Sequence, residues 1–356
     1  MPLIMDGGGT PSFWAAKKSV NSASSLRSFG TRAEFISLAL INNMPDAALE
    51  DTETQFFRLL ELASGDIPVY VKLYSLPGIP RSTRGEQHLR NHYRDIDDLW
   101  ESEFDGVIVT GTEPHHLDLR AEPYWEVLTS VLDWAEQNTV SAVLSCLAAH
   151  AGVLYSDSIP RHRLAEKQFG VFEFRKTCDH AISRSIPDTI HTPHSRWNEV
   201  RENDLLASGY QVLTKSADAA VDLFVKKRKK SLMVHFQGHP EYEACTLLKE
   251  YRRDIKRFLR GERETYPALP LGYFDAVSTD LLNAFREIAR ADRREELLSA
   301  FPETAAIDSL QKTWQATATS LYRSWLQYVS SRAWLRSGTL APHRSVAESI
   351  TKQTVV

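Results

Sequence analysis

Thr139-Val140-Ser141-Ala142-Val143-Leu144-Ser145-Cys146-Leu147-Ala148-Ala149-His150-Ala151-Gly152 is the stretch that decides how this chain is read. A short apolar, partly β-branched run ends in one cysteine, and small helix-forming residues follow without a gap. That order predicts a buried strand, a tight turn carrying Cys146 and a helix that starts at the turn. Such an elbow exposes the sulfur at the carboxyl end of a strand and at a helix N-terminus, where the partial positive charge favours thiolate over thiol. A buried structural cysteine would show the same residues, because cysteine is among the most buried residue types. The stretch alone leaves both readings open.

Outward from the elbow, the chain alternates strands and helices. Strand patterns fall at 34–41, 67–74 and 104–111, and helical spacing at 48–63, 88–93, 95–100 and 124–136. This alternation predicts an α/β fold with a mostly parallel sheet covered on both faces. Ligands of such sheets sit at the carboxyl ends of the strands, where Gly111 and Cys146 fall. Past residue 168 the pattern turns strand-rich, with runs at 169–174, 210–214, 221–225 and 232–236. Helices are expected at 242–259, 275–300 and 308–331. The block Lys226-Lys227-Arg228-Lys229-Lys230 reads as a solvated hairpin turn, since no aromatic residues interleave it as a nucleic-acid site would require. The expected division is a flexible segment at 1–32, a main domain at 33–270, a C-terminal helical extension packing on it at 271–335 and a loose tail at 336–356.

A net charge of −4 gives no electrostatic reason to expect nucleic acid or an anionic membrane as a partner. The three cysteines, Cys146, Cys178 and Cys245, are too scattered for a disulfide framework, which suits a reducing compartment. No apolar run approaches the roughly 18 residues of a membrane span, and Gly7-Gly8-Gly9 interrupts any secretory-signal pattern. A cytoplasmic enzyme is the expectation.

A thiol nucleophile needs a base to take its proton and a carboxylate to orient that base. His239-Pro240-Glu241 offers both just after the run 232–236. Gly238 allows a sharp turn there, so His239 can project at the sheet edge that carries Cys146. Glu241 can then accept from its ring and fix the tautomer. A turn histidine beside a helix start is the plainer alternative. His115-His116 suits a metal poorly without further ligands nearby, and no metal is expected.

Further segments carry a family resemblance: Asn43-Met44-Pro45, Glu53-Thr54-Gln55-Phe56, Phe104-Asp105-Gly106 with Val109-Thr110-Gly111, Glu166 to Glu173, Pro193-His194-Ser195-Arg196, Gly238-His239-Pro240-Glu241-Tyr242 and Trp325-Leu326-Gln327-Tyr328. From about 41 to 332, outside an insertion at 275–312, the chain resembles the homoserine O-succinyltransferase and O-acetyltransferase family. The resemblance implies the class I glutamine amidotransferase-like (flavodoxin-like) fold. It implies Cys146 as acyl-thioester nucleophile, His239 as general base and Glu241 as its orienting carboxylate. Lys167, Ser195 and Arg253 are placed in the amino-acid pocket, where a guanidinium suits an α-carboxylate.

The expected reaction is ping-pong transfer of a succinyl or acetyl group from acyl-CoA to the homoserine hydroxyl, with the oxyanion held by the backbone N–H groups of Leu147 and the Gly111 loop. Acyl-CoA is a co-substrate, and no bound cofactor is expected. His115 stands where the family sorts acyl donors, a place held by Gly in succinyl-using and Glu in acetyl-using members. Asp46 and Ala47 replace the lysines usual after the Met-Pro turn, and Leu147 and Ala148 replace an aromatic and a glycine after the cysteine. Serine as acceptor, or a glutaminase-type amidotransferase using the same triad, are the competing readings. Small-molecule substrates and a homodimer are what the resemblance leads one to expect.

Overall fold

The computed structural model describes residues 3–5, 35–308, 310 and 312–337. Its centre is an eight-stranded sheet of β1 (Leu3–Met5), β2 (Ile36–Ile41), β3 (Val69–Tyr74), β4 (Gly106–Val109), β5 (Ser141–Ser145), β8 (Gln211–Val212), β11 (Leu223–Arg228) and β12 (Ser231–Phe236). The strand order is β1-β3-β2-β4-β5-β12-β11-β8. All pairings from β1 to β12 are parallel, and only the β12–β11 and β11–β8 pairings at one edge are antiparallel. The predicted α/β class with a mostly parallel sheet is what the chain adopts.

Period-two alternation sorts each strand between two layers. Leu38 and Leu40 of β2 and Val143 of β5 face one cluster with α1 (Asp46–Ser64) and the C-terminal helix α10 (Gln315–Ser337). Ala39, Ile41, Ala142 and Leu144 face the other, formed with α4 (Trp125–Asn138) and α5 (Leu147–Asp157). Every residue of β2, β4, β5 and β12 is buried, as strands sandwiched between helices require. Between β3 and β4 lie α2 (Thr83–His92) and the short α3 (Asp97–Glu101). No helix among the described residues is long and apolar enough to cross a membrane.

A second, four-stranded antiparallel sheet lies beside the site, in the order β10 (Ala220–Val221), β9 (Thr214–Ser216), β6 (His162–Lys176), β7 (Thr189–Glu199). The short α6 (Glu202–Ala207) leads on from β7. Tyr251, Ile255 and Phe258 of α7 (Thr246–Leu259) pack with Leu282 and Phe285 of α8 (Ala276–Ala291) in a cluster of their own.

Several elements depart from expectation. Leu3–Met5, inside the segment expected to be flexible, adds a parallel edge strand beside β3, with Leu3 and Ile4 buried. The rest of that segment, and the tail after 337, lie outside the described residues. The strand β7 has no counterpart in the expected pattern, and β6 starts well before 169. The helix expected over 275–300 ends at Ala291, and a 3-10 turn at Glu295–Ala300 and α9 (Glu303–Asp308) follow. The 226–230 block is not simply solvated. Lys226 and Arg228 reach Asp157 at 2.8 and 3.0 Å, Arg228 reaches Glu136 at 2.6 Å, and only the tip is a turn, with Lys229 at φ 44°.

Candidate active site

The register of the sheet builds the site. Ser145 of β5 pairs with Phe236 of β12, so the residues that follow both strands emerge side by side. Cys146 donates its backbone N–H to Phe236 O at 2.8 Å and turns at φ 52°, ψ −111°. A side chain at positive φ is strained by roughly 1–3 kcal/mol, and this strain is the mark of a nucleophile elbow. Cys146 is the N-cap of α5, and Leu147 and Ala148 begin the helix with N–H groups that have no intrahelical partner. Gly111 closes over them. A Cβ on it would stand 3.0 Å from Leu147 N, so glycine leaves the space beside that donor open.

His239 follows the β12 turn. Its backbone N–H is held by Pro193 O at 2.8 Å, and its Nδ1 lies 2.9 Å from Glu241 Oε1. That contact leaves Nε2 to face the elbow, where Cys146 acts on the ring. Tyr242 stacks on the imidazole at 4.1 Å and 17°. Burial opposes the charged ring, yet Cys146 and Glu241 outweigh it and hold His239 well above the usual imidazole range. Glu241 Oε1 also accepts from the Ser145 hydroxyl at 3.3 Å, while its buried Oε2 has no hydrogen-bond partner.

The structure also brings Lys167, Ser195 and Arg253 together, around a carboxylate that sequence reasoning did not single out. Glu250 of α7 accepts hydrogen bonds from the Ser195 and Tyr242 hydroxyls. Lys167 Nζ lies 3.7 Å from Glu250 and 3.5 Å from Asp254. Arg253 Nη2 lies 3.9 Å from Glu250 and 3.2 Å from Asp254, with 46% of its side chain still exposed. Tyr242 ties this group to the histidine, since its ring covers His239 and its hydroxyl binds Glu250. The signal for Glu250 was its place three residues before Arg253 on one helix face.

His115 is not in this group. It is exposed on the loop after β4 and makes no hydrogen bond or ion pair with a described residue. On the same loop, Glu113 faces Arg257 at 3.8 Å. Asp46, where lysine is usual, accepts from the Ser82 backbone and hydroxyl at 2.7 and 2.6 Å and from Arg81 at 3.2 Å, fastening the start of α1 to that of α2.

The chain is thus of the α/β class, with a cysteine turn at the end of one parallel strand and a histidine–carboxylate pair after the next. Within that class, the chain belongs to the homoserine O-succinyltransferase family, whose profile matches residues 14–334. The match takes in 14–40 and 275–312, which the residue-level resemblance left out. Relatives named homoserine O-succinyltransferase include one from Rhodopseudomonas palustris, 44% identical over 84% of this chain and 90% of its own length. Another, from Bradyrhizobium japonicum, is 43% identical over 83% of this chain and 90% of its own. Similar solved structures include glutamine amidotransferases from Thermotoga maritima and Methylobacillus flagellatus, each 14% identical with a TM-score of 0.44. Each covers 83% of this chain, and 98% and 95% of their own chains are matched.

Proposed function

We propose that this chain transfers an acyl group from acyl-CoA to the hydroxyl of homoserine through a thioester on Cys146. The observation that carries the reading is the set Cys146, His239 and Glu241 at adjacent strand ends, beside a cluster in which Glu250 lies 3.9 Å from Arg253. The Cys146 thiolate attacks the acyl carbonyl, and the oxyanion falls toward the N–H groups of Leu147 and the Gly111 loop. CoA leaves as its thiol, taking the proton held by His239. The acceptor hydroxyl then gives its proton to His239 and attacks the thioester, and Cys146 departs as thiolate. Glu241 keeps the ring oriented through both halves.

Homoserine is a zwitterion, and we assign each of its charges to an opposite charge in this cluster. Arg253 takes the α-carboxylate, Glu250 takes the ammonium, and Lys167 and Ser195 hold Glu250 in place. Succinyl is the proposed donor group, supported by the names of the relatives. His115, on the loop that follows Gly111, is the residue we assign to the far end of the acyl chain. The test is steady-state release of free CoA from succinyl-CoA or acetyl-CoA, with homoserine or serine as acceptor. Homoserine-dependent release from succinyl-CoA, with parallel double-reciprocal lines, is expected. Ammonia release from glutamine without any release of CoA would overturn the reading.

A further inference from the structure

Behind the elbow lies a buried arginine that the mechanism above does not use. Arg196 of β7 is 3% exposed, and no carboxylate lies within ion-pair distance of it among the described residues. Its donors go to neutral acceptors: Nε to His194 Nδ1 at 3.1 Å, Nη1 to Asn198 O at 2.8 Å and Nη2 to Ala219 O at 2.9 Å. An interior cation without a contacting anion costs several kcal/mol unless negative charge nearby offsets it. The negative groups that act on Arg196 are Glu199, Cys146 and Asp222. An ionised Cys146 would be one of its counter-charges.

The other end of the chain of contacts reaches His239. Because His194 Nδ1 accepts from Arg196, a neutral His194 carries its proton on Nε2. That atom lies 3.5 Å from Asp222 Oδ1, and a Cβ on Gly238 would stand 2.7 Å from it. Asp222 Oδ1 accepts the Gly238 N–H at 2.8 Å, and the next residue is His239, whose N–H goes to Pro193 O. The turn that aims the base is therefore packed on His194, and His194 is oriented by Arg196.

We propose that Arg196 is a positioning residue: it fixes His194 as the neutral Nε2–H tautomer under the Gly238–His239 turn, and its charge favours the ionised Cys146–His239 pair. The proposal rests on Cys146 being the nucleophile. Burial, with Arg196 and His239 adding to it, holds His194 well below the usual imidazole range, in keeping with a neutral ring. The charged and titratable groups facing the pair are Glu241 and Tyr242 from the β12–α7 turn, Asp222 between β10 and β11, and His194, Arg196 and Glu199 from β7. His150 of α5 also faces Arg196, and burial holds it neutral, down to about 3.

The test is the rate of alkylation by iodoacetamide across about pH 5 to 9, read by peptide mass at Cys146 with Cys178 and Cys245 as internal references. In Arg196→Gln the Cys146 midpoint should rise by roughly half a unit to one unit, as expected for a charge acting through an effective dielectric of about 20. Arg196→Lys should recover part of the shift, and the reference cysteines should not move. A folded Arg196→Gln protein whose Cys146 profile overlays the unaltered one would overturn the proposal. If Cys146 of the unaltered protein reacts no faster at low pH than Cys178, the nucleophile reading itself fails, which is a separate outcome. Should Arg196→Gln not fold, imidazole 15N shifts of the unaltered protein decide. A neutral Nε2–H His194 supports the proposal, and a cationic or Nδ1–H ring contradicts it.

Discussion

The carboxylate behind the base is the residue whose replacement separates chemistry from folding. Glu241→Gln keeps the shape but removes the charge that orients His239, so kcat should fall by about 10²–10⁴-fold with little change in Tm. Steady-state rates and thermal melts on the same sample check both halves. Asp222 makes a prediction about pH. Burial, only partly opposed by the Gly238 N–H, Thr192, Arg196 and His239, pushes its carboxyl up from 3.8 to about 6. The folded state therefore holds this proton more tightly than the unfolded chain, and stability falls as pH rises from about 4 to 6. The loss is about 3 kcal/mol for a shift of roughly two units. Denaturant melts of Asp222→Asn should lack that fall. Cys146, His239 and Glu241 were legible because strand ends and turns are local signals. Glu250 and Arg196 were not. A charged residue on a basic helix, or within a polar strand, looks solvated until tertiary contacts close around it.

The strand β7 supplies three parts of the site: Pro193 O to the base, Ser195 to the pocket and Arg196 behind the elbow. It escaped the sequence reading because Pro193 and the polar residues around it break any strand pattern. The sheet order explains why it forms regardless: β7 is an edge strand, where a proline costs no ladder hydrogen bond on its open side. Its partner β6 makes a second demand. Gly170, at φ 146°, lies against the Leu271 backbone, where an added Cβ would come within 2.3 Å of Leu271 O. Leu271 N–H binds Phe169 O, and Val171 N–H binds Leu271 O. Gly170→Ala should therefore detach the 269–273 segment, lower Tm by several degrees, and raise amide exchange at Leu271 and Val171 above that in the central strands. The parallel strands β2 to β5 and β12 were legible, since largely apolar runs between helices have few other solutions, whereas the short β1 was not.

Across the whole molecule, the C-terminal helix is part of the sheet's own core. Trp325 of α10 is 1% exposed, donates its indole N–H to Ser141 Oγ at 3.0 Å and shares a cluster with α1 and the central strands. Ser141 begins the strand that leads into Cys146, so α10 anchors the far end of the elbow strand. Trp325→Ala should cost about 3–5 kcal/mol, measured by denaturant melts, with the whole transition moving together. Such long-range closure is invisible to a reading by local period: the expectation was a helical extension packing on the main domain, without the residues it meets in the core. The central claim is that Cys146 carries the acyl group between donor and acceptor, and intact-protein mass measurement tests it directly. Incubation with succinyl-CoA alone should add one succinyl group, the added mass should vanish in Cys146→Ala, and homoserine should discharge it as O-succinylhomoserine. An unmodified protein under these conditions, or an adduct that persists in Cys146→Ala, would contradict it.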